Sequence, residues 1–358
     1  MSTTVEVISK ETIKPSTPTP YQLKNYSLSL IDQHIQSSFI PILLFYPAAV
    51  DNSCGDKHHD DINTFLLKRS LSETPVHFYP LAGRMKDNIL VDCNDGGVEF
   101  IEVNVSGRMC DFLMKPDEQL KVTPTLPDSN PSESVSKIIS NRFLFDALAI
   151  NSVHEKLLAV TAEKYKCRSR PTRVEVVSFL IWKSFVKLAT PGSLPVMVRH
   201  AVNLRRRLDP PLPDVSFGNL IEFTKAVVGA SRTKTTTQET TSSSSTILYD
   251  DLNEFVGQLR ESISKMTKGN HDFDAENTDY EGKNLWMSSW CNYGLYDIDF
   301  GWGKPIWVTA VATIFPDSKG FFLMNDTRCG EGVEVWGNLV EEEMSNFQLN
   351  LSELLDRI

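Results

Sequence analysis

The stretch YDIDFGWGKPIWV, residues 296–308, decides how this chain reads. Asp299, Phe300, Gly301, Trp302 and Gly303 place a carboxylate, two aromatic rings and two glycines in five positions, and Lys304-Pro305 breaks the segment. Glycine enters left-handed backbone at little steric cost, so the pattern predicts a tight turn whose indole fills a core. A turn can also shape an active site without touching substrate, and the two readings are compatible. Chemistry hung on such a segment needs an acid–base partner, most often a histidine.

Outward from the turn, IWVTAVAT (306–313) and FFLMND (321–326) are two strand signals, followed by GVEVWGNL (332–339) and an amphipathic C-terminal helix. Upstream, Asp250 and Asp251 open a helix through Met266, with Leu252, Phe255, Val256, Leu259 and Ile263 on one face. Thr172 with Glu175 three positions on makes a capping box, and Val174, Val177, Ile181, Phe185 and Leu188 recur at helical spacing toward a core. RFLFD (142–146) is a short strand leading into a helix. In the first third, FIPILLFYP (39–47) reads as a buried strand and Ile62 to Leu71 as a helix. ILVDC and VEFIEVNV flank Asn94-Asp95-Gly96-Gly97, a hairpin signal. Residues 115–135 are Pro/Ser-rich, and TKTTTQETTSSSST (233–246) is a low-complexity loop. Mixed strands and helices give an α/β or α+β class.

At 358 residues the chain exceeds what one core ordinarily serves, so two domains are expected. A net charge of −10 argues against nucleic acid as a partner. Six scattered cysteines, without a CxxC pair, read as reduced, mostly buried thiols. The first twenty residues have no apolar h-region, and the apolar run Phe39–Val50 is too short and proline-broken to span a bilayer. A soluble cytoplasmic protein, off the membrane, is the expectation. No phosphate loop, GxGxxG, GxSxG or HExxH is present. His58-His59-Asp60-Asp61 reads as a polar surface loop rather than a metal site, and His77 and His154 as structural.

DFGWGKP resembles the C-terminal signature of the plant BAHD acyltransferases. LSLIDQ (28–33), YPLAGRM (79–85), VDCNDGGVEF (91–100), PTRVEVVSFLIWK (171–183), NLRRRLDPPLP (203–213) and FGNL (217–220) agree, collinearly, over nearly the whole chain. The flavour is similar to the branch that acylates alkaloids, terpenoid or aromatic alcohols. The resemblance implies an α/β, chloramphenicol acetyltransferase-like fold of two domains, 1–135 and 136–358, with a tunnel between them. It implies a monomer that binds no resident cofactor or metal, and transfer of an acyl group, here acetyl, from acyl-coenzyme A as co-substrate to a hydroxyl or amine of a small-molecule acceptor. It also implies that Asp299 through Gly303 are mainly structural, with Asp299 paired to Arg205.

The family's general base is the histidine of an HxxxD motif. Four residues beyond His34, His58, His59, His77, His154, His200 and His271 come Ser38, Ile62, Asn63, Leu81, Leu158, Leu204 and Ala275. None is aspartate, so no catalytic residue is assigned. Arg142 stands four before Asp146, but RFLFD is similar to a different landmark, the strand after the inter-domain crossover. A deletion fits better: FLMKPDEQLKVTPTLP resembles the run before the missing block and SESVSKIISNRFLFD the run after it, with a few polar residues around Asp128–Pro131 between. The block would carry a central strand, the HxxxD loop, a helix and the crossover. The expectation is an incomplete N-terminal domain and impaired or absent catalysis. The alternative is a non-catalytic isoform, pseudoenzyme or truncated gene product that retains only ligand binding.

Overall fold

The computed structural model describes residues 4–34, 40–47, 57–114, 137–164, 170–189, 194–228, 244–266, 280–310 and 319–358. The first third holds β1 (Val5–Ile13), β2 (Asn25–Ser27), α1 (Leu30–His34), β3 (Ile42–Phe45), α2 (Lys57–His77), β4 (Arg84–Lys86), β5 (Leu90–Asp92), β6 (Val98–Val105) and α3 (Met109–Met114). Then come β7 (Ile138–Phe145), α4 (Ala147–Lys164), α5 (Arg173–Val186), β8 (Met197–Asn203), β9 (Ile221–Phe223) and β10 (Ala226–Val227). The chain closes with α6 (Ser244–Met266), β11 (Asn284–Ser289), β12 (Trp307–Ala310), β13 (Phe321–Asp326), β14 (Val333–Val340) and α7 (Glu341–Asp356).

A mixed seven-stranded sheet, in the order β10-β8-β11-β13-β14-β7 with β9 also on β8, organises the second part. The parallel pairs β8–β11 and β11–β13 lie at its middle, and antiparallel β14 and β7 complete one side. Alternation along each strand sorts its side chains. Phe322, Met324, Val333, Val335, Leu339, Leu285 and Met287 turn to the side covered by α5, α6 and α7 and build the main core there.

The Thr172 hydroxyl accepts the Glu175 N–H (3.2 Å), and the Glu175 carboxylate accepts the Thr172 N–H (2.7 Å), so the predicted capping box starts α5. The helix departs from its expected single apolar face. Val176, Ser178, Phe179, Leu180, Trp182 and Ser184 are buried as well, because sheet and neighbouring helices enclose it. In α6 the face Leu252, Phe255, Val256, Leu259 and Ile263 is inward as predicted, although the helix begins earlier, at Ser244. Buried Asp251 lies inside it and pairs with Lys183 of α5.

The N-terminal strands, among the described residues, form separate small sheets: β1 with β6, β2-β5-β4, and β3 with β12. The hairpin expected across residues 94–97 is not formed, because β5 and β6 lie in different sheets. Asp95 and Gly97 do take positive φ, +58° and +80°. But the Asp95 carboxylate accepts from the Thr19 hydroxyl (2.5 Å), the Thr19 N–H and Lys24 Nζ (2.7 Å), which turns the chain toward β1 instead of back along β5. The true hairpin joins β4 to β5 through Asp87 and Asn88, both in left-handed backbone. β3 is likewise not the buried strand expected: β12 is its sole strand partner among the described residues, and Ile42 is 43% exposed. The helix expected over 62–71 extends over Lys57–His77. Four cysteines are described, all free; Cys93 and Cys291 are buried, Cys110 and Cys329 exposed, so burial holds for half of them. Cys54 and Cys167, like residues 115–135 and most of the Ser/Thr-rich run 233–246, fall outside the described residues.

Two measurements test the start of α5. Thr172→Ala removes the cap and is expected to cost about 1 kcal/mol in urea unfolding. For Glu175, burial pushes the carboxyl up, but the Arg260 guanidinium (2.6 and 2.8 Å) and the Thr172 N–H outweigh it and hold the group below its ordinary 4.5. The folded form therefore releases this proton more readily than the unfolded chain. Its stabilisation is complete above about pH 4.5 and is lost as pH falls through the lower, folded value. Glu175→Gln is expected to lower stability at pH 7 and to flatten the decline of the urea midpoint below pH 4.5.

Candidate functional site

Asp299 Oδ1 accepts the N–H groups of Gly301 (2.8 Å) and Gly303 (3.0 Å) and so caps its own turn. Those two donors, with Lys304 nearby, hold the carboxyl below the usual aspartate range. Gly301 and Gly303 sit at φ +109° and +102°, while an added Cβ would meet only Leu66, at 4.0 Å, or nothing. Backbone conformation, not lack of space, requires glycine here. The Phe300 and Trp302 rings stack at 5.5 Å, and Tyr46, just beyond β3, sets its edge on both at 6.0 Å. The Tyr46 hydroxyl donates to the Ile298 carbonyl (3.0 Å). The turn is thus a joint that clasps the N-terminal part of the chain.

The expected Asp299–Arg205 pair is absent. Arg205 instead donates to the carbonyls of Ser216 (2.8 and 3.0 Å) and Gly218 (2.7 Å), closing its own loop, while Asp299 is occupied by the turn. On that loop, Asp32 of α1 accepts the Asn219 N–H (2.6 Å), and Tyr26 lies edge-on to Phe217. Ile31 packs with Leu204 and Leu220. The stretches LSLIDQ, NLRRRLDPPLP and FGNL, far apart in sequence, therefore meet in one place.

The turn delivers β12 onto the sheet face opposite the helices. Trp307 stacks on Phe45 at 5.0 Å and, with Leu43, Phe112, Trp290 and Phe321, surrounds buried Leu323 and Trp336. At the centre lies the buried carboxylate of Glu334. It accepts from Arg142 Nη2 (2.8 Å), Trp307 Nε1 (3.1 Å), the Thr309 hydroxyl (3.1 Å) and Trp336 Nε1 (3.3 Å). Trp336 Nε1 also donates to Thr309 Oγ1 (2.7 Å), and the Arg142 guanidinium lies 5.5 Å from the Trp307 ring centre. Nothing in the sequence around Glu334 marked it; its signal was only a charge inside an apolar strand pattern. Asp146, four residues after Arg142, accepts the Ala149 N–H at the start of α4. Arg142 and Asp146 thus hold different partners and are not paired with each other.

The described histidines take other duties. On α4, His154 is buried between the Pro171 carbonyl (2.9 Å) and Arg170 (2.8 Å), a structural role as expected. His200 on β8 is buried on the helix side, its Nδ1 3.1 Å from the Ala201 carbonyl. Burial pushes both imidazoles below their ordinary pKa. His34 ends α1 and His77 ends α2. The side chains of His58 and His59, and all of His271, lie outside the described residues. Among the described residues, no group of three or more His, Cys, Asp or Glu could hold a metal ion, and no helix is long and apolar enough to cross a membrane.

The family model described as the transferase family, that of the BAHD enzymes, matches residues 3–133 and 117–354. The chain belongs to the BAHD acyltransferase family. This BAHD chain is 43% identical to (13S,14R)-1,13-dihydroxy-N-methylcanadine 13-O-acetyltransferase of Papaver somniferum, covering 99% of this chain and 98% of that one. It is 41% identical to salutaridinol 7-O-acetyltransferase of the same plant, covering 100% and 99%. The crystal structure of vinorine synthase superposes with a TM-score of 0.70 at 28% identity, covering 98% of each chain, and the mixed α/β acyltransferase fold is shared. The alignment with the first of these relatives runs over 468 residues against a chain of 358, so at least 110 aligned positions, the difference, hold no residue of this chain.

Glu334→Ala strips Arg142, Trp307 and Thr309 of this acceptor, while Trp336 keeps the Thr309 hydroxyl, and leaves the Arg142 charge without its partner. Denaturant unfolding is expected to show a loss of about 3 kcal/mol, with Arg142→Ala costing less because its guanidinium is partly solvated.

Proposed function

We propose that this chain is by descent an acyl-CoA-dependent O-acyltransferase, taking an acetyl group from a coenzyme A thioester to a hydroxyl of an alkaloid-type alcohol, and that its transfer step is impaired. The acetyl donor and the alkaloid acceptor are carried over from the poppy relatives, whose names specify O-acetyl transfer to salutaridinol and to a hydroxylated N-methylcanadine. The observation that carries the impairment is that no histidine of the chain is followed four residues later by aspartate. The missing alignment positions, and a family match split into two parts that meet between residues 117 and 133, support a lost internal block.

Ester formation needs a base to take the hydroxyl proton as the oxygen attacks the thioester carbonyl, and a positioned base contributes about 10²–10⁴ in rate. Positioning of both substrates still leaves residual acceleration. The block would also supply a central strand to an N-terminal domain over 1–135, beside a C-terminal domain over 136–358. Val5 and Val7 of β1 and Ile101, Val103 and Val105 of β6 lie exposed, as expected of a ribbon that has lost a neighbour. The reading makes the protein a cytosolic monomer. The same gap favours a second reading, a non-catalytic product that only binds ligand.

Purified protein with acetyl-coenzyme A and salutaridinol, followed by mass spectrometry, is expected to form the acetyl ester about 10²–10⁴ times more slowly than the poppy salutaridinol enzyme. Ligand binding with no ester at all would favour the second reading. Brisk turnover, undiminished when each of the seven histidines is changed in turn to alanine, would overturn the impairment.

A further inference from the structure

His154 of α4 meets the stretch that enters α5 with both of its ring nitrogens. A carbonyl only accepts and a guanidinium only donates, so these bonds fix the tautomer. Nε2 carries the hydrogen and gives it to the Pro171 carbonyl (2.9 Å), while the bare Nδ1 accepts from Arg170 Nη2 (2.8 Å). The ring is buried, whereas Arg170 is exposed. The stretch it fastens is a junction. The Arg170 carbonyl accepts from Arg260 of α6 (3.3 Å), Thr172 caps α5, and Arg173 reaches the Gly332 carbonyl (3.1 Å), Asn292 (3.1 Å) and Asp326 (2.9 Å).

Among the described residues, the charges around this ring offer an added proton no counter-ion. Glu175 of α5 is held by Arg260 of α6, and Asp326 of β13 by Arg173. On the helix of His154 itself, Glu155 and Lys156 are exposed. His200 of β8 lies on the Glu175 side and is itself buried. The charge that bears on His154 is that of Arg170, of the same sign as a protonated ring. Burial, and then that guanidinium, hold the imidazole below its ordinary 6.5, and the bond to Pro171 offsets them only in part.

We infer that His154 is an acid-operated latch between α4 and the entry to α5. Neutral, it ties the two together. A proton added at Nδ1 turns that acceptor into a donor aimed at a guanidinium, so the bond to Arg170 breaks. Arg170 swings into the adjoining solvent, and the imidazolium is left inside with a single carbonyl. α4 then lifts at this end and hydrates the ring. The unfolded chain takes up this proton near pH 6.5 and the folded form only at a lower value. Stability is therefore full above 6.5, declines as pH falls through it, and levels off below the folded value. The latch is independent of the acyltransferase reading.

The test is hydrogen exchange of the full chain, read by mass spectrometry at about pH 7.5 and about pH 5.5 and corrected for intrinsic rates. Protection over residues 147–156 of α4 should fall about tenfold at the lower pH, as for one lost hydrogen bond to a charged group, while α7 keeps its own. His154→Gln takes up no proton, yet its carboxamide can accept from Arg170 and donate to Pro171, so its α4 should stay protected at both pH values. Equal protection of wild-type α4 at the two pH values would overturn the latch. So would a His154→Gln protein that loosens in acid as the wild type does. Arg170→Leu supplies a second reading should the glutamine variant not fold. With the guanidinium gone, the His154 titration, followed by NMR at its ring Cε1–H, should move upward in pH. A titration that stays in place would equally overturn it.

Discussion

A carboxylate taken out of water must be matched by donors, or it neutralises or unfolds its surroundings. Glu334 is held by groups from three strands: Arg142 from β7, Trp307 and Thr309 from β12, and Trp336 from its own strand. Those donors fix where β12 crosses the sheet, and β12 in turn carries β3 through its antiparallel pairing. The N-terminal part is therefore registered on the main sheet by a polar constraint inside an apolar cluster. Apolar packing alone tolerates sliding; a charge with several directed partners does not.

The glycine-aromatic turn belongs to the same joint. Its aspartate is consumed by its own backbone, its glycines supply left-handed conformations, and its two rings are clasped by Tyr46. None of these contacts leaves a group free for chemistry on a substrate. The turn orients the strand that follows, and that strand brings Trp307 to Glu334. A second joint, where Asp32 meets Asn219 while Arg205 closes the loop that presents it, ties α1 to the opposite side of the sheet. Both joints survive in a chain shorter than its relatives because their parts lie outside the region where the family match divides.

The sheet thus keeps two unlike faces. One is sealed by α5, α6 and α7 and is mainly apolar, with His200 buried in it; the other mixes indoles with a neutralised ion pair and unpaired amide and hydroxyl groups. An interior that needed only stability would have little use for unpaired polar atoms, since apolar replacements of similar shape cost nothing or gain.

Local rules sufficed wherever the interaction is local. The capping box at Thr172, the inward face of α6, the strands β12 and β13 and the left-handed glycines of the turn all follow from spacings of a few residues. The family, too, was legible, because its motifs are short and collinear. Contacts between distant segments were not. Asp95 offered the signal of a hairpin, yet Thr19 and Lys24, more than seventy residues away, turned the chain elsewhere. Arg205 was expected to meet Asp299 but found nearer carbonyls. Glu334 and Asn325 are single polar residues inside apolar strands, and cross-strand register buries both on one face. Sequence spacing fixes φ, ψ and periodicity, whereas which strand lies beside which, and so which polar group is buried with which partner, is decided only when the sheet assembles.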